Sequence, residues 1–293
     1  MDYFLVSTPL QYCNAYNIHT DEPKTLVFLG DFHGAGLFYK KLCGNIHWEH
    51  RIWFVSYRKL FSYLRKRLNN NDRLFIDSDY GLQTNFMLSR LKTREIYVYE
   101  EGTGSYRNDL LSARCSNKVF YNLLSLLGNK EHFGGSKWVK GIYLYDHKKH
   151  ISNVPDFKGS RLSFRKGFVD NLKEVYSEIL SEQEKVEYKN LVKGKSVCMY
   201  ITNWKYNPLI DDLFRNLKET SENEDILFVL KPHPRLEEFS KNFEFDTVLS
   251  NSVMVEYILL IFKEFAANLV VYHEGSSALL YLDGINNKTL DAI

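Results

Sequence analysis

The sequence predicts an α/β protein with two Rossmann-like domains that face a central cleft. Short apolar runs bounded by turn residues alternate with longer helical patterns, which is typical of βαβ units and a parallel sheet. The 293 residues also exceed the length at which a single hydrophobic core keeps growing. We therefore expect two α/β domains of roughly 100–150 residues each, with a cleft between them.

The predicted elements of the first half follow in chain order. Apolar runs predict strands at 4–7, 25–29, 50–55, 73–76 and 95–99. Helical patterns at 37–43 and 57–68 lie between these strands, so residues 1–155 are predicted to form one doubly wound domain.

The second half repeats this pattern after a change of composition. Pro155, Gly159 and Gly167 precede a charged helical run, which predicts a linker with a connecting helix over 156–190. Further apolar runs predict strands at 196–201, 226–231 and 269–272. Residues 191–293 are therefore predicted to form the second domain.

Composition restricts the class of protein. The apolar fraction is 44% and the charged fraction 25%, as in ordinary folded proteins, and the net charge of +2 gives no general attraction to nucleic acid or anionic membrane. Four widely spaced cysteines contain no C-x-x-C pair, which disfavours a zinc site and a disulfide scaffold. The sequence has no signal peptide pattern and no apolar run long enough for a membrane span. We expect a cytoplasmic enzyme with at most peripheral contact with the inner face of the membrane.

Two neighbouring carboxylates, Glu100 and Glu101, lie where the run 95–99 meets a glycine-rich turn that begins at Gly102. Ligands of open α/β sheets bind outside the carboxyl ends of strands, and adjacent carboxylates raise one another's pKa toward a value suited to a general base. The alternative is a solvated acidic turn.

A histidine is flanked by prolines in Lys231-Pro232-His233-Pro234-Arg235, directly after a predicted strand. The prolines restrict the backbone, so the histidine is preset. With cations beside it, such a histidine can bind a phosphate and donate a proton to it as it leaves. The alternative is a rigid loop with a surface histidine.

A third motif, Gly275-Ser276-Ser277, joins a predicted strand to a predicted helix. Hydroxyls and backbone N–H groups at a helix N-terminus form an anion site. The alternative is that Ser276 or Ser277 caps the helix, and N-capping and anion binding are compatible with each other.

Other patterns carry less information. The cationic pattern at 57–68 predicts a solvated helix face over a buried stripe rather than a surface for nucleic acid or membrane. His33 and His147 lie near acids but lack the spacing of a metal site, so no metal is predicted. The Gly102-x-Gly104 pair is too short for a dinucleotide fingerprint and no Walker A sequence occurs, which disfavours NAD and ATP.

The order Glu-Glu-Gly, His-Pro, Ser-Ser resembles the motif set of bacterial sialyltransferases in glycosyltransferase families 38, 52 and 80. The opening Ser7-Thr8-Pro9-Leu10-Gln11 and the extended motif at 100–106 look most like family 52, the lipooligosaccharide and capsule sialyltransferases. The resemblance implies a GT-B fold, with CMP-sialic acid held mainly by the second domain and the acceptor by the first.

Residue roles follow from the resemblance. His233 would contact and protonate the CMP phosphate, and Ser276 and Ser277 would hydrogen-bond to it. Glu256 resembles the glutamate that binds the ribose hydroxyls, the alternative being an exposed acid at a helix start. Glu101 or Glu100 would be the general base, with Asp211 in reserve. The other residues expected to bind substrate are Lys231, Pro234, Gly102, Gln11 and Thr8.

The expected reaction is attack by a galactose hydroxyl of a surface glycan on the anomeric carbon of sialic acid, with inversion and loss of CMP. The leaving phosphate would be stabilised by His233, Lys231 and two hydroxyls, so neither a metal nor another cofactor is expected. Some family members exchange segments between protomers, so a homodimer is compatible with the resemblance.

Two alternatives stay open. One is a GT-B transferase that uses another nucleotide sugar such as a UDP-hexose. The other is a nucleotide- or glycan-binding protein without turnover. Nucleic-acid binding ranks last, because it rests on one cationic helix in a near-neutral chain.

Overall fold

A computed structural model describes residues 1–30, 32–44, 46–115, 117–203, 205–220, 225–234, 236 and 243–290. The chain divides into two compact units. Unit 1 comprises Met1–Asp31 and Leu42–Asn171, and unit 2 comprises Phe32–Lys41 and Leu172–Ile293.

The elements alternate between strands and helices along most of the chain. Up to residue 163 they are β1 (Asp2–Val6), α1 (Pro9–Tyr16), β2 (Lys24–Leu29), α2 (Ala35–Leu42), β3 (His50–Phe54), α3 (Tyr57–Arg67), β4 (Arg73–Ile76), α4 (Leu82–Ser89), β5 (Glu95–Tyr99), α5 (Lys118–Leu126), β6 (Gly141–Leu144), α6 (His147–Asn153) and β7 (Ser160–Ser163). Beyond it they are α7 (Phe168–Ile179), α8 (Glu182–Val192), β8 (Ser196–Ile201), α9 (Leu209–Thr220), β9 (Ile226–Lys231), β10 (Thr247–Val248), α10 (Val255–Phe265), β11 (Asn268–His273) and β12 (Asn286–Thr289). Short 3₁₀ helices lie at Gly102–Tyr106, Ser112–Arg114 and Ser277–Leu279.

Each unit has its own parallel sheet. Within the described residues, the sheet of unit 1 has seven strands in the order β3-β2-β1-β4-β5-β6-β7, and that of unit 2 has five in the order β10-β9-β8-β11-β12. In both, the chain winds from the first strand to one edge and then returns to pass it on the other side. The topological switch point therefore lies between β1 and β4 in unit 1 and between β8 and β11 in unit 2, and ligands of doubly wound sheets bind at such points.

Central strands are buried, which explains why their apolar runs were recognisable. All five residues of β1 are buried, since a parallel sheet is covered by helices on both faces. The rings of Phe4 and Phe75 stack with centroids 4.4 Å apart. In unit 2, Phe214, Phe228 and Tyr272 belong to one buried cluster. The predicted α/β class with two parallel sheets is confirmed.

The predicted cationic helix corresponds to α3. Leu60 and Leu64 are fully buried, while Arg65, Lys66 and Arg67 are exposed. This is the arrangement of a solvated face over a buried stripe.

Chain order and spatial grouping differ at two places. The segment Phe32–Lys41 belongs to unit 2, although it lies within the first predicted domain. The stretch 156–190 contains β7, which pairs with β6 in the sheet of unit 1. The division between the units then falls inside α7.

Candidate functional site

A pocket of about 200 Å³ opens at the carboxyl ends of the strands of unit 2. Its described lining residues are Ile201, Thr202, Asn203, His233, Glu274, Gly275, Ser276 and Ser277. They lie at or after the carboxyl ends of β8, β9 and β11, and β8 and β11 flank the switch point of this sheet. The structure thus brings together the predicted residues His233, Ser276 and Ser277.

His233 is held by its backbone on both sides. Its N–H donates to the hydroxyl of Thr202 at 2.7 Å, and its carbonyl accepts from the N–H of Leu236 at 2.9 Å. The carbonyl of Pro234 accepts from the N–H of His33 at 3.1 Å. The prediction of a preset histidine at a strand end agrees with this geometry, and the residue is half-buried. Its predicted neighbour Arg235 lies outside the described residues.

The Gly-Ser-Ser loop is organised by a histidine that sequence reasoning missed. His273, the last residue of β11, is 6% exposed, and its Nδ1 accepts from the N–H groups of Gly275 and Ser276 at 3.1 and 3.2 Å. Two donations to Nδ1 require the neutral tautomer with its proton on Nε2, which lies 3.3 Å from the side-chain oxygen of Asn287.

This loop corrects the expectation of a helix N-terminus with free amides. The following helix is a 3₁₀ turn of only three residues, Ser277–Leu279, and the hydroxyl of Ser276 caps it by accepting from the N–H of Ala278 at 3.2 Å. The N-capping interpretation therefore holds for Ser276. The amides of Gly275 and Ser276 are not available to an anion in the pocket, because they already donate to His273.

Lys231 and Glu256 are buried together rather than exposed to the pocket. They are 4% and 8% exposed, and neither is among the described residues that line the pocket. Burial lowers the pKa of Lys231 to about 8 and raises that of Glu256 to about 7, while the opposite charge of each partner counteracts the shift of the other. The ammonium of Lys231 also donates to the side chain of Asn251 at 3.2 Å. Glu256 is thus not an exposed helix-start acid.

A second group of polar side chains lies in unit 1 at the carboxyl ends of β1, β4 and β5. The carboxamide of Gln11 donates to Asp77 at 3.0 Å and to Glu101 at 2.9 Å. Its oxygen accepts from the N–H and hydroxyl of Ser7 at 2.7 and 2.9 Å. Gln11 is 2% exposed and is fixed in the first turn of α1, which Thr8 caps. The predicted residues Thr8, Gln11 and Glu101 therefore belong to one cluster.

Glu100 points away from this cluster into the protein. It is 0% exposed, and one carboxylate oxygen accepts from the hydroxyl of Tyr106 and from the N–H of Tyr145 at 2.8 Å. Burial raises its pKa to about 7. An acceptor hydroxyl has no access to a fully buried carboxylate, so Glu100 supports the turn from inside. Glu101 is half-buried and is the more exposed member of the pair. Gly102 follows with a φ of 57°, the left-handed conformation that glycine adopts without strain.

Asp211, the reserve base, is also buried. It is 2% exposed in the first turn of α9, and one of its oxygens accepts from the hydroxyl of Tyr206. Asp211 does not line the pocket within the described part of the chain. The adjacent Tyr200 instead connects to the pocket, donating its hydroxyl to Glu274 at 2.6 Å.

Sequence reasoning missed Thr202, Glu274 and Asp77, although a signal for them existed. Each lies within two residues of the end of a predicted strand, which is the position where α/β sheets present ligand-binding side chains.

Neither a metal site nor a membrane-spanning helix is found among the described residues. No group of three or more His, Cys, Asp or Glu side chains among them could hold a metal ion. No helix formed by them is long and apolar enough to cross a bilayer.

Comparison with known proteins finds likeness in fold. No protein-family model matches the chain, and no curated protein matches it in sequence. UDP-N-acetylglucosamine 2-epimerase from Rickettsia bellii matches with a TM-score of 0.54 at 11% identity, over 93% of this chain and 74% of that chain. The S. aureus MnaA–UDP structure matches with a TM-score of 0.52 at 10% identity, over 94% and 74%. The Neisseria meningitidis epimerase bound to UDP-GlcNAc gives 0.50 at 9%, over 93% and 77%. This chain has the GT-B type of fold.

Proposed function

We propose that this protein is a GT-B glycosyltransferase that takes its sugar from a nucleotide-activated donor and holds the donor phosphate in the pocket of unit 2. The observation that carries the proposal is the convergence of His233, Thr202 and Ser277 at strand ends of one doubly wound sheet. A histidine that can carry a proton, surrounded by hydroxyl groups, is suited to a phosphate whose negative charge grows as it leaves.

The residues that line the pocket suggest where the phosphate and the hydroxyl groups of the donor bind. A carboxylate repels phosphate, so the phosphate lies toward His233 and Thr202 rather than toward Glu274. Glu274, held by Tyr200, is an acceptor for hydroxyl groups of the sugar or ribose. The pocket volume of about 200 Å³ accommodates only part of a nucleotide sugar, which is consistent with a subsite for the phosphate and its neighbouring hydroxyls.

The chemistry is a displacement at the anomeric carbon. A lone pair of the acceptor oxygen forms the new bond to this carbon from the face opposite the phosphate, and the bond from the carbon to the phosphate oxygen breaks with its electron pair. Glu101 takes the proton of the acceptor hydroxyl, and His233 donates a proton to the departing phosphate. Stabilisation by these groups replaces a divalent metal, and the configuration at the anomeric carbon is inverted.

A UDP-hexose is the donor that the fold comparison favours. Two of the matching structures contain UDP or UDP-GlcNAc. CMP-sialic acid is the second candidate, favoured by the order of the Glu-Glu-Gly, His-Pro and Ser-Ser motifs. In that case the acceptor would be a galactose-terminated surface glycan.

Thermal unfolding with UDP and with CMP in the presence of EDTA tests binding and donor class together. A nucleotide present at 100 times its Kd stabilises the folded state by about 2.7 kcal/mol, which raises Tm by about 5–10 °C. We expect a shift with one nucleotide and not the other. If neither shifts Tm at millimolar concentration, the nucleotide-sugar proposal is wrong.

Turnover is then measured with the donor class that the Tm shift identifies, in EDTA, with a panel of galactosides and glucosides. His233→Ala should lower kcat by a factor of about 10²–10⁴, with a much smaller change in nucleotide affinity. His19→Ala, at a histidine whose side chain is 74% exposed, is the matched control. Binding without transfer or donor hydrolysis in the wild type would instead identify a binding protein.

A further inference from the structure

Unit 1 carries an apolar face formed by α4 and α5. None of the residues of α5 is buried, although the helix is amphipathic. Its side chains Val119, Leu123 and Leu126 are 76%, 51% and 85% exposed, and Leu82 and Phe86 of α4 are 47% and 54% exposed. We call these five residues the apolar face. Monomeric soluble proteins rarely expose a contiguous set of large apolar side chains, and such sets mark interaction sites.

A groove runs along this face. Its volume is about 610 Å³, and its described lining includes Leu82, Phe86, Leu126 and Trp138. Because none of the residues of α5 is buried, the described contacts give its apolar side chains no role in the core of unit 1.

Cations border the groove. Lys130 and Lys137 line it, and no acidic residue does within the described part of the chain. The ammonium of Lys137 lies 4.7 Å from the ring centre of Trp138, and the guanidinium of Arg90 lies 4.9 Å from that of Phe86. In such a contact the aliphatic part of the cationic side chain covers apolar surface while its charged group remains in water.

The one acidic side chain between Lys118 and Lys140 is already engaged. The carboxylate of Glu131 accepts from the N–H groups of Leu111 and Ser112, both at 3.0 Å, and from the hydroxyl of Tyr121 at 2.8 Å. The four lysines of this stretch, Lys118, Lys130, Lys137 and Lys140, outnumber this one carboxylate, so its net charge is positive although the whole chain is close to neutral.

We propose that the apolar face docks on a lipid bilayer with anionic headgroups, lying in the interface rather than crossing it. Apolar side chains beside lysine, arginine and tryptophan are the combination by which interfacial helices bind anionic lipid. Charge complementarity favours this occupant over a second copy of the chain, because a symmetric contact would bring the same cations against each other. The proposal is independent of the glycosyltransferase function.

Co-sedimentation with vesicles tests the proposal. The full chain is mixed with vesicles of phosphatidylglycerol and phosphatidylcholine in equal parts, or of phosphatidylcholine alone, at 0.1 M salt. We expect binding to the mixed vesicles that is at least tenfold tighter than to pure phosphatidylcholine. The double variants L123S/L126S and K130Q/K137Q should each weaken this binding at least tenfold. The control I46S/L209S changes side chains that are 98% and 60% exposed elsewhere, and should bind like the wild type.

Two further measurements keep the test decisive. Circular dichroism establishes that the variants fold, which we expect because the substituted side chains are exposed. Brominated lipid should quench tryptophan fluorescence in the wild type, and W138F should lose most of this effect, because Trp138 lines the groove. Binding that is unaffected by L123S/L126S, or that is absent from the mixed vesicles, overturns the proposal. So does a change in oligomer mass with L123S/L126S while vesicle binding stays constant, because a second copy would then cover the face.

Discussion

Replacing Glu100 by glutamine should change how the stability of the protein depends on pH. Burial raises the pKa of Glu100 from 4.5 to about 7. Between these two pH values the folded state keeps a proton that the unfolded state has lost, so the free energy of unfolding falls as pH rises through this window and stays low above it. A difference of that size corresponds to about 3 kcal/mol, at 1.36 kcal/mol per pKa unit.

Glutamine removes this dependence because it does not titrate. Its oxygen can accept from Tyr106 and Tyr145 as the carboxylate does. E100Q should therefore be close to the wild type in stability at pH 5 and more stable by about 3 kcal/mol at pH 8. Urea unfolding followed by tryptophan fluorescence measures this, because Trp48, Trp53 and Trp138 belong to unit 1.

A matched control separates burial from charge removal. Asp109 is exposed, and its hydrogen bond with Arg107 lowers its pKa, so it is ionised in both states from pH 5 to pH 8. D109N should leave the pH dependence unchanged over this range. If the difference between E100Q and the wild type is the same at pH 5 and pH 8, the assignment of a proton to buried Glu100 is refuted.

Two other substitutions test the carboxyl-end cluster of unit 1. Gln11→Leu removes the donor shared by Asp77 and Glu101, so it should lower the free energy of unfolding by about 2 kcal/mol, which urea titration measures. The same substitution should reduce kcat/KM for the acceptor more than tenfold in steady-state kinetics. The Tm shift with nucleotide should be unchanged. Gly102→Ala should lower the free energy of unfolding in urea by about 1–2 kcal/mol, because the φ of Gly102 is 57°. The control Gly36→Ala should not destabilise the protein, since no atom lies near the added methyl group. Equal losses of stability in the two variants would contradict the conformational explanation.

The sequence predicted the strands that form apolar runs, including β3 at an edge of its sheet, and missed β6, β7, β10 and β12. After their first residues, Asp2 and Ser196, β1 and β8 are apolar because both faces are covered. β12, Asn286–Thr289, is exposed at every residue, so nothing in its composition distinguishes it from a loop. Its pairing with β11 depends on backbone hydrogen bonds, which carry no side-chain signal.

For the site, the motifs identified the place but not the partners within it. His233 and Ser277 do meet in one pocket. The neutral tautomer of His273, however, follows from the fold of the loop after β11, which no spacing rule foretells. The same applies to Glu100 and Glu101, whose side chains differ in burial because neighbouring residues of an extended segment point to opposite sides.

The inclusion of α2 in unit 2 affects how the chain can mature. The carbonyl of Pro234 accepts from the N–H of His33, and Lys41 pairs with Glu184, so this early segment is held by residues synthesised much later. A fragment that starts at Leu172 would lack one of its own helices. On the ribosome, α2 emerges long before the strands of its sheet exist, and its exposed apolar side chains would need protection until α8 and β9 have followed. Unit 2 therefore completes its fold only after nearly the whole chain has been made, whereas unit 1 can form its sheet earlier.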